Sequence, residues 1–395
     1  MRISQALAKV ELKVRGFAPG GLGFWDMKTI SWKYAAAGPG LPFWKKATAG
    51  LLLGVFALGA FCSCGGGGKK AAEEGVERAF PQIAVPSLIE DASERMEYVA
   101  LHYFDSFLKP VGGGDSPKSA SGRGSKNAQG KGSGKGSEAP QEHFLCDSTH
   151  VAGVPSDKFE QAFASWCGVL DMVPMEVAEK AVGRLFERAA ACEMADTASN
   201  VLESVDKIIE KYLYDPNSPM RNEDWYRPFL EAKAASDLFP EAVRKRAAET
   251  ARKCALNKVG TPAADFRFSD RDGRIHSLYG IKAETTLLFF SNPGCNACKE
   301  IIDALKGYGE MEPMIARGDL AVLNIYIDED LGEWYKYMPI YPKSWYNGYD
   351  PNYVIRTELL YDVRAIPSLY LLNRDKIVLM KDAPVEKVLR AIFGH

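Results

Sequence analysis

The sequence predicts an α/β domain at the C-terminal end of the chain, preceded by an all-α domain. Between residues 156 and 257, five successive stretches carry apolar residues at helical spacing. From Val259 the texture changes, and short apolar runs alternate with helix-like stretches, the pattern of a sheet covered by helices. Within that second region, Cys295 and Cys298 stand where an apolar run gives way to a helix.

The chain has 395 residues, enough for two or three domains at about 150 residues each. Its first apolar run, residues 47–61, follows Lys45 and Lys46 and ends in Cys62-Ser63-Cys64 and four glycines. It is too short to span a membrane, which takes about 20 residues. A basic flank, an apolar core and a small-residue end are the order of an export signal. Ser63-Cys64-Gly65 resembles a bacterial lipobox, which implies cleavage before Cys64 and lipidation of its thiol. Glu11 and Asp26 fit poorly upstream of such a signal, and Met27-Lys28 reads as a better start, so residues 1–26 are read as a misassigned beginning. The expected compartment lies outside the cytoplasm, where disulfides persist.

Residues 65–80 read as a tether and 81–256 as the helical domain. A helix is expected within 89–108, capped by Asp91 or Ser93. Residues 111–142 turn to Gly, Ser, Lys and Asn, a composition that cannot bury enough apolar surface to offset chain entropy, so a disordered insertion is expected. Helices follow over 156–170, 174–194, 197–212, 222–235 and 240–257. Between the third and fourth, Asp215-Pro216-Asn217-Ser218-Pro219 makes a stop, a turn and a new helix start. The charged residues that follow, Arg221, Glu223 and Asp224, could serve a partner surface.

In residues 257–395, Asp272-Gly273 predicts a hairpin, residues 285–290 and 320–327 buried strands, and 295–305 a helix. Residues 369–372 and 376–380 pair as a second hairpin before a last helix over 384–392. The aromatic-rich segment 334–353 either lines a substrate groove or covers the sheet edge.

Cys295 at a helix N-terminus faces free N–H groups and the positive end of the helix dipole, which stabilises a thiolate. Two intervening residues bring Cys298 onto the same turn, so Cys295 is the candidate nucleophile and Cys298 the resolving thiol of a redox-active disulfide. A CxxC is also half a zinc site, but no second CxxC or CxxH follows Cys64 and the five histidines are scattered, so no metal is expected. Pro367 enters an apolar strand after Ile366, a position where a cis bond would shape a tight turn.

Strand-CxxC-helix followed by Ile366-Pro367-Ser368 before a hairpin resembles the thioredoxin fold. Gly260-Thr261-Pro262 and the Asp272-Gly273 hairpin look like its extracytoplasmic, membrane-anchored thiol-disulfide oxidoreductases. The resemblance implies that Ile366 and Pro367 bind the substrate chain, that protein thiols and disulfides are the partners, and that reduction or isomerisation is favoured over oxidation. It also implies a membrane electron donor and the envelope of a Gram-negative bacterium. The helical region, through Tyr212-Leu213-Tyr214 and the turn after it, resembles an uncharacterised domain that precedes such modules in envelope lipoproteins. Where thioredoxins carry Trp before the first cysteine and a buried Asp six residues before it, this sequence has Gly294 and Phe289. Proton removal from Cys298 then needs water or another base, for which Glu300 is a candidate.

A rival expectation is a non-catalytic envelope lipoprotein that uses the fold as a binding scaffold, with the CxxC as a structural disulfide. With 49 basic against 51 acidic residues there is no electrostatic footprint for nucleic acid. Cys146, Cys167, Cys192 and Cys254 allow three complete pairings or remain as free thiols.

Overall fold

Asp91 starts the first helix, α1 (Ala92–His102): its carboxylate accepts from the Ser93 and Glu94 N–H groups, which have no partner inside the helix. The structure is a computed structural model described over residues 76–108 and 144–394. The expected export signal at 1–64 with Cys64, the first part of the tether and the insertion at 111–142 lie outside the described residues. Every described residue belongs to one compact unit.

After a small hairpin, β1 (His150–Val151) and β2 (Val154–Pro155), come helices α2 (Ser156–Leu170) and α3 (Met175–Ala195). Then follow α4 (Val201–Ile209), a π-helical turn (Glu210–Tyr214), α5 (Glu223–Ala235) and α6 (Glu241–Cys254). The α4 helix begins later than the sequence pattern suggests. Asp196 accepts from the Ala198 amide in a turn, and Asn200 donates its side-chain amide to the Asp147 and His150 carbonyls, so those residues are held outside the helix. Phe163, Trp166, Val182 and Phe229 fill the helical core, and the Trp166 indole donates to the Ala100 carbonyl at 2.9 Å, fastening α1 to α2.

The second half folds as one seven-stranded sheet. Its strands are β3 (Arg267–Asp270), β4 (Ile275–Ser277), β5 (Thr285–Phe290), β6 (Leu320–Tyr326), β7 (Tyr346–Tyr349), β8 (Ser368–Asn373) and β9 (Val378–Met380). Helices α7 (Asn296–Gly307), α8 (Met311–Arg317), α9 (Leu331–Tyr337), α10 (Val354–Thr357) and α11 (Val385–Phe393) complete it. The strand order is β4-β3-β7-β6-β5-β8-β9, with β5, β6 and β7 parallel and the outer pairs antiparallel. Alternation along β5 sends Leu287 and Phe289 into the core that holds Cys298, and Leu288 and Phe290 into an opposite core with Tyr361 and Tyr370. The fold class is therefore an α/β sheet covered by helices beside a helical region, as the sequence predicts.

Strand β7 has no strand-like sequence because it carries Asn347 and Gly348, both poor strand formers. Gly348 is nonetheless required: a Cβ there would meet Phe268 Cδ2 at 2.5 Å and the Ser269 carbonyl oxygen at 2.8 Å.

Candidate active site

Strand β5 ends at Phe290, and the chain turns through Gly294, at φ +74°, to place Cys295 as the N-cap of α7. Cys295 Sγ accepts from the Cys298 N–H at 3.1 Å, so this sulfur lies against the free amides of the helix start. Cys295 and Cys298 are joined in a disulfide with their Cα atoms 5.2 Å apart. Their exposure is unequal: Cys298 is 1% exposed inside the core, whereas Cys295 is half-buried at its edge. An incoming sulfur thus reaches Cys295 first.

The turn between β5 and α7 is fastened to the neighbouring strand. Asn292 donates to Asp328 beyond the end of β6, and Asp328 pairs with Arg356 at 2.7 Å. Beneath it, Ser291 donates to Asn324, whose amide donates to Asn347 at 3.2 Å, a buried polar ladder across β5, β6 and β7. Phe289 is fully buried, so an aromatic ring stands where the resemblance would place an acid. Glu300 is exposed, while the Cys298 side chain is enclosed.

Ile366 and Pro367 lie beside this turn. Ser368 at the start of β8 pairs in register with Phe290 at the end of β5, so the loop before β8 and the turn carrying Cys295 occupy the same end of adjacent strands. The Ile366–Pro367 peptide bond is cis. Ile366 and Cys295 pack on the edge of the same core, and among the described residues Ala365 and Ile366 make no backbone–backbone hydrogen bond. Trp334, Tyr341 and Trp345 are buried in that core, whereas Tyr335, Tyr346 and Tyr353 are exposed. The aromatic-rich segment therefore supplies both core cover and surface rings.

The chain is similar to a solved thioredoxin-like protein from Bacteroides caccae, 32% identical, covering 81% of this chain and 100% of its own, with a TM-score of 0.63. The chain belongs to the thioredoxin-like proteins. A domain of unknown function, DUF5106, matches residues 143–255, the helical region of this thioredoxin-like protein. The chain is also similar to the C-terminal domain of an uncharacterized protein from Bacteroides fragilis, at 46% identity over 34% of this chain and 97% of that one, TM-score 0.33. A thioredoxin domain of a thiol-disulfide oxidoreductase from Bacteroides vulgatus is 18% identical over 34% of this chain and 98% of that one, TM-score 0.30. No curated protein matches.

Outside the pair, Cys146, Cys167, Cys192 and Cys254 of this thioredoxin-like protein are free thiols. Burial pushes the Cys254 thiol up to about 12, and raises Cys167 and Cys192 as well. Among the described residues no group of three or more His, Cys, Asp or Glu could hold a metal ion. No local pattern in the sequence marks Arg364, next to the proline loop, or Asp382, which accepts from Ser368 at its far side. Of the two roles open to the connection that holds Arg221, Glu223 and Asp224, a structural turn or a partner surface, the structure favours the first. In the structure these three meet the sheet half of their own chain: Arg221 at Asp382, Glu223 at Arg364, and Asp224 at the Val259 amide.

Proposed function

We propose that this protein is an extracytoplasmic thiol-disulfide oxidoreductase that reduces or isomerises disulfides in protein or peptide substrates. The observation that carries this reading is the unequal exposure of two bonded sulfurs at a helix N-terminus, beside a loop whose backbone is unpaired. In the reduced enzyme, the Cys295 thiolate attacks one sulfur of a substrate disulfide. The S–S bond breaks, a mixed disulfide with Cys295 forms, and the departing substrate thiolate takes up a proton. Cys298 then loses its proton and attacks Cys295 Sγ, closing the Cys295–Cys298 bond and releasing the second substrate thiol. Two electrons pass from the enzyme to the substrate, and a dithiol donor must return them. The unpaired amide and carbonyl groups at Ala365 and Ile366 suit an extended chain added alongside the loop, which holds the scissile disulfide over Cys295.

Lipidation at Cys64 would tether the enzyme to the envelope of a Gram-negative cell, where a membrane donor could supply electrons. Metabolic lipid labelling that is lost in Cys64→Ala supports this anchor, and labelling that persists overturns it. For the chemistry, Cys298→Ser in the full chain should accumulate mixed disulfides with substrate proteins through Cys295. If no adduct forms and both cysteines of the reduced protein alkylate like ordinary thiols, the reading fails and a structural disulfide replaces it.

A further inference from the structure

Among the described residues the loop of residues 365–367 makes no backbone–backbone hydrogen bond, so beyond the packing of Ile366 on the core its position is set by what holds its flanks. Both flanks are held by the helical half of the chain. On the near side, Arg364 Nε donates to Glu223 Oε1 at 2.8 Å, its Nη1 donates to the Tyr214 carbonyl, and its guanidinium lies 3.9 Å from the centre of the Tyr214 ring. On the far side, Ser368 Oγ donates to Asp382 Oδ1 at 2.7 Å, and the Asp382 carbonyl accepts from Arg221 Nε at 2.7 Å. Tyr214, Arg221 and Glu223 bracket the Asp215-Pro216-Asn217-Ser218-Pro219 turn, so one short connection in the helical half grips both sides of the loop.

The grip is made of charge taken out of water. The Glu223 and Lys381 side chains are each 4% exposed and the Arg364 side chain 12%, with Lys381 2.8 Å from the second Glu223 oxygen. Such clusters add little net stability, because desolvation offsets the attraction, but they fix geometry through directional bonds. The apolar cores of the two halves are separate, so the seam between them is not set by apolar packing alone.

We propose that Glu223 and Asp382 are positioning residues through which the helical half holds the Ile366–Pro367 loop in the conformation that receives a substrate chain. This rests on the thiol-disulfide reading above. It assigns the helical half a part in substrate affinity, separate from the redox chemistry of Cys295 and Cys298.

The test uses the full chain, with a disulfide-linked peptide pair as substrate and oxidised glutathione as a probe too small to pair along the loop. In Glu223→Gln, KM for the peptide disulfide should rise about tenfold with kcat within about twofold, while the Cys295–Cys298 equilibrium with glutathione stays unchanged. Amide exchange at Ser368 and Leu369, at the start of β8, should quicken without change in the middle of β5. Ser368→Ala, which removes a single hydroxyl, should shift KM in the same direction and serves if Glu223→Gln does not fold. Lys387→Ala breaks a surface ion pair to Asp171 across the same two halves, away from the loop, and should change nothing. An unchanged KM in folded variants overturns the proposal while leaving the enzyme reading intact. A glutathione equilibrium that moves with KM also overturns it, since the disturbance would then lie in the disulfide itself. Wild-type protein that turns over neither substrate sinks the enzyme reading first and this inference with it.

Discussion

Arg364 and Glu223 are 141 residues apart in the chain, yet the guanidinium Nε donates to the carboxylate at 2.8 Å where both side chains are almost shut off from water. Glu223 also faces Lys381, so one carboxylate answers two cations. Removing it alone, in Glu223→Ala, leaves Arg364 and Lys381 buried without that partner and should cost about 3–5 kcal/mol in urea denaturation. Replacing all three by Met should cost less, since no cation is then stranded, while Asp382 keeps Arg221 and Asp224 keeps the Val259 amide. Equal losses for the single and triple variants would show that shape, not charge, holds the seam.

Thiol reactivity should separate the six described cysteines. After mild reduction at about pH 8, iodoacetamide should reach Cys295 first, because its sulfur is the more exposed of the pair and sits at a helix start. Cys254, with its thiol pushed up to about 12 and its side chain enclosed, should be labelled only on unfolding, as should Cys167. Peptide mass spectrometry reads the order directly. Early labelling of Cys254 would mean that the end of α6 opens in the native state.

The contrast between the disulfide and the seam shows what a sequence can carry. Cys295 and Cys298 were legible because their chemistry is local: spacing, an apolar strand before and a helix after specify the site within a dozen residues. The 156–170 helix was legible for the same reason, its apolar residues recurring on one face. Arg364 and Asp382 were not, since a charged residue in a loop looks solvated until its partner from another part of the chain is known. Strand β7 was hidden because its place in the sheet rests on a close approach to Phe268 that selects Gly348 against strand propensity.

That close approach is itself open to measurement. Gly348→Ala places a methyl group 2.5 Å from Phe268 Cδ2 and 2.8 Å from a backbone oxygen, and Phe268 is fully buried with no room to swing away. The strand pair β3 and β7 must separate, at a cost of about 1–3 kcal/mol. Denaturant midpoints of wild type and variant read it, and an unchanged midpoint would place β7 further from β3 than the structure does.

Asp105 should give the helical half its own acid sensitivity. Burial raises this carboxyl, but hydrogen bonds from Arg184 and His102 and the charges of Arg188 and Arg184 outweigh that, leaving it lowered from 3.8 to about 2. Arg184 Nη2 lies 2.6 Å from one oxygen and Arg188 Nε 3.1 Å from the other, clamping the end of α1 to α3. A carboxyl whose folded pKa is depressed contributes stability above its unfolded value and loses it as pH falls through the folded one. The contribution is therefore full above about pH 4 and gone somewhat below pH 2. With the side chain 22% exposed, solvent screening trims it to about 1–2 kcal/mol. Asp105→Asn mimics the protonated state, so it should be less stable than wild type by that amount at pH 7, and the two stability curves should converge as pH falls toward 2. A difference that stays constant with pH would mean that the arginines hold Asp105 by shape and hydrogen bonding and not by its charge.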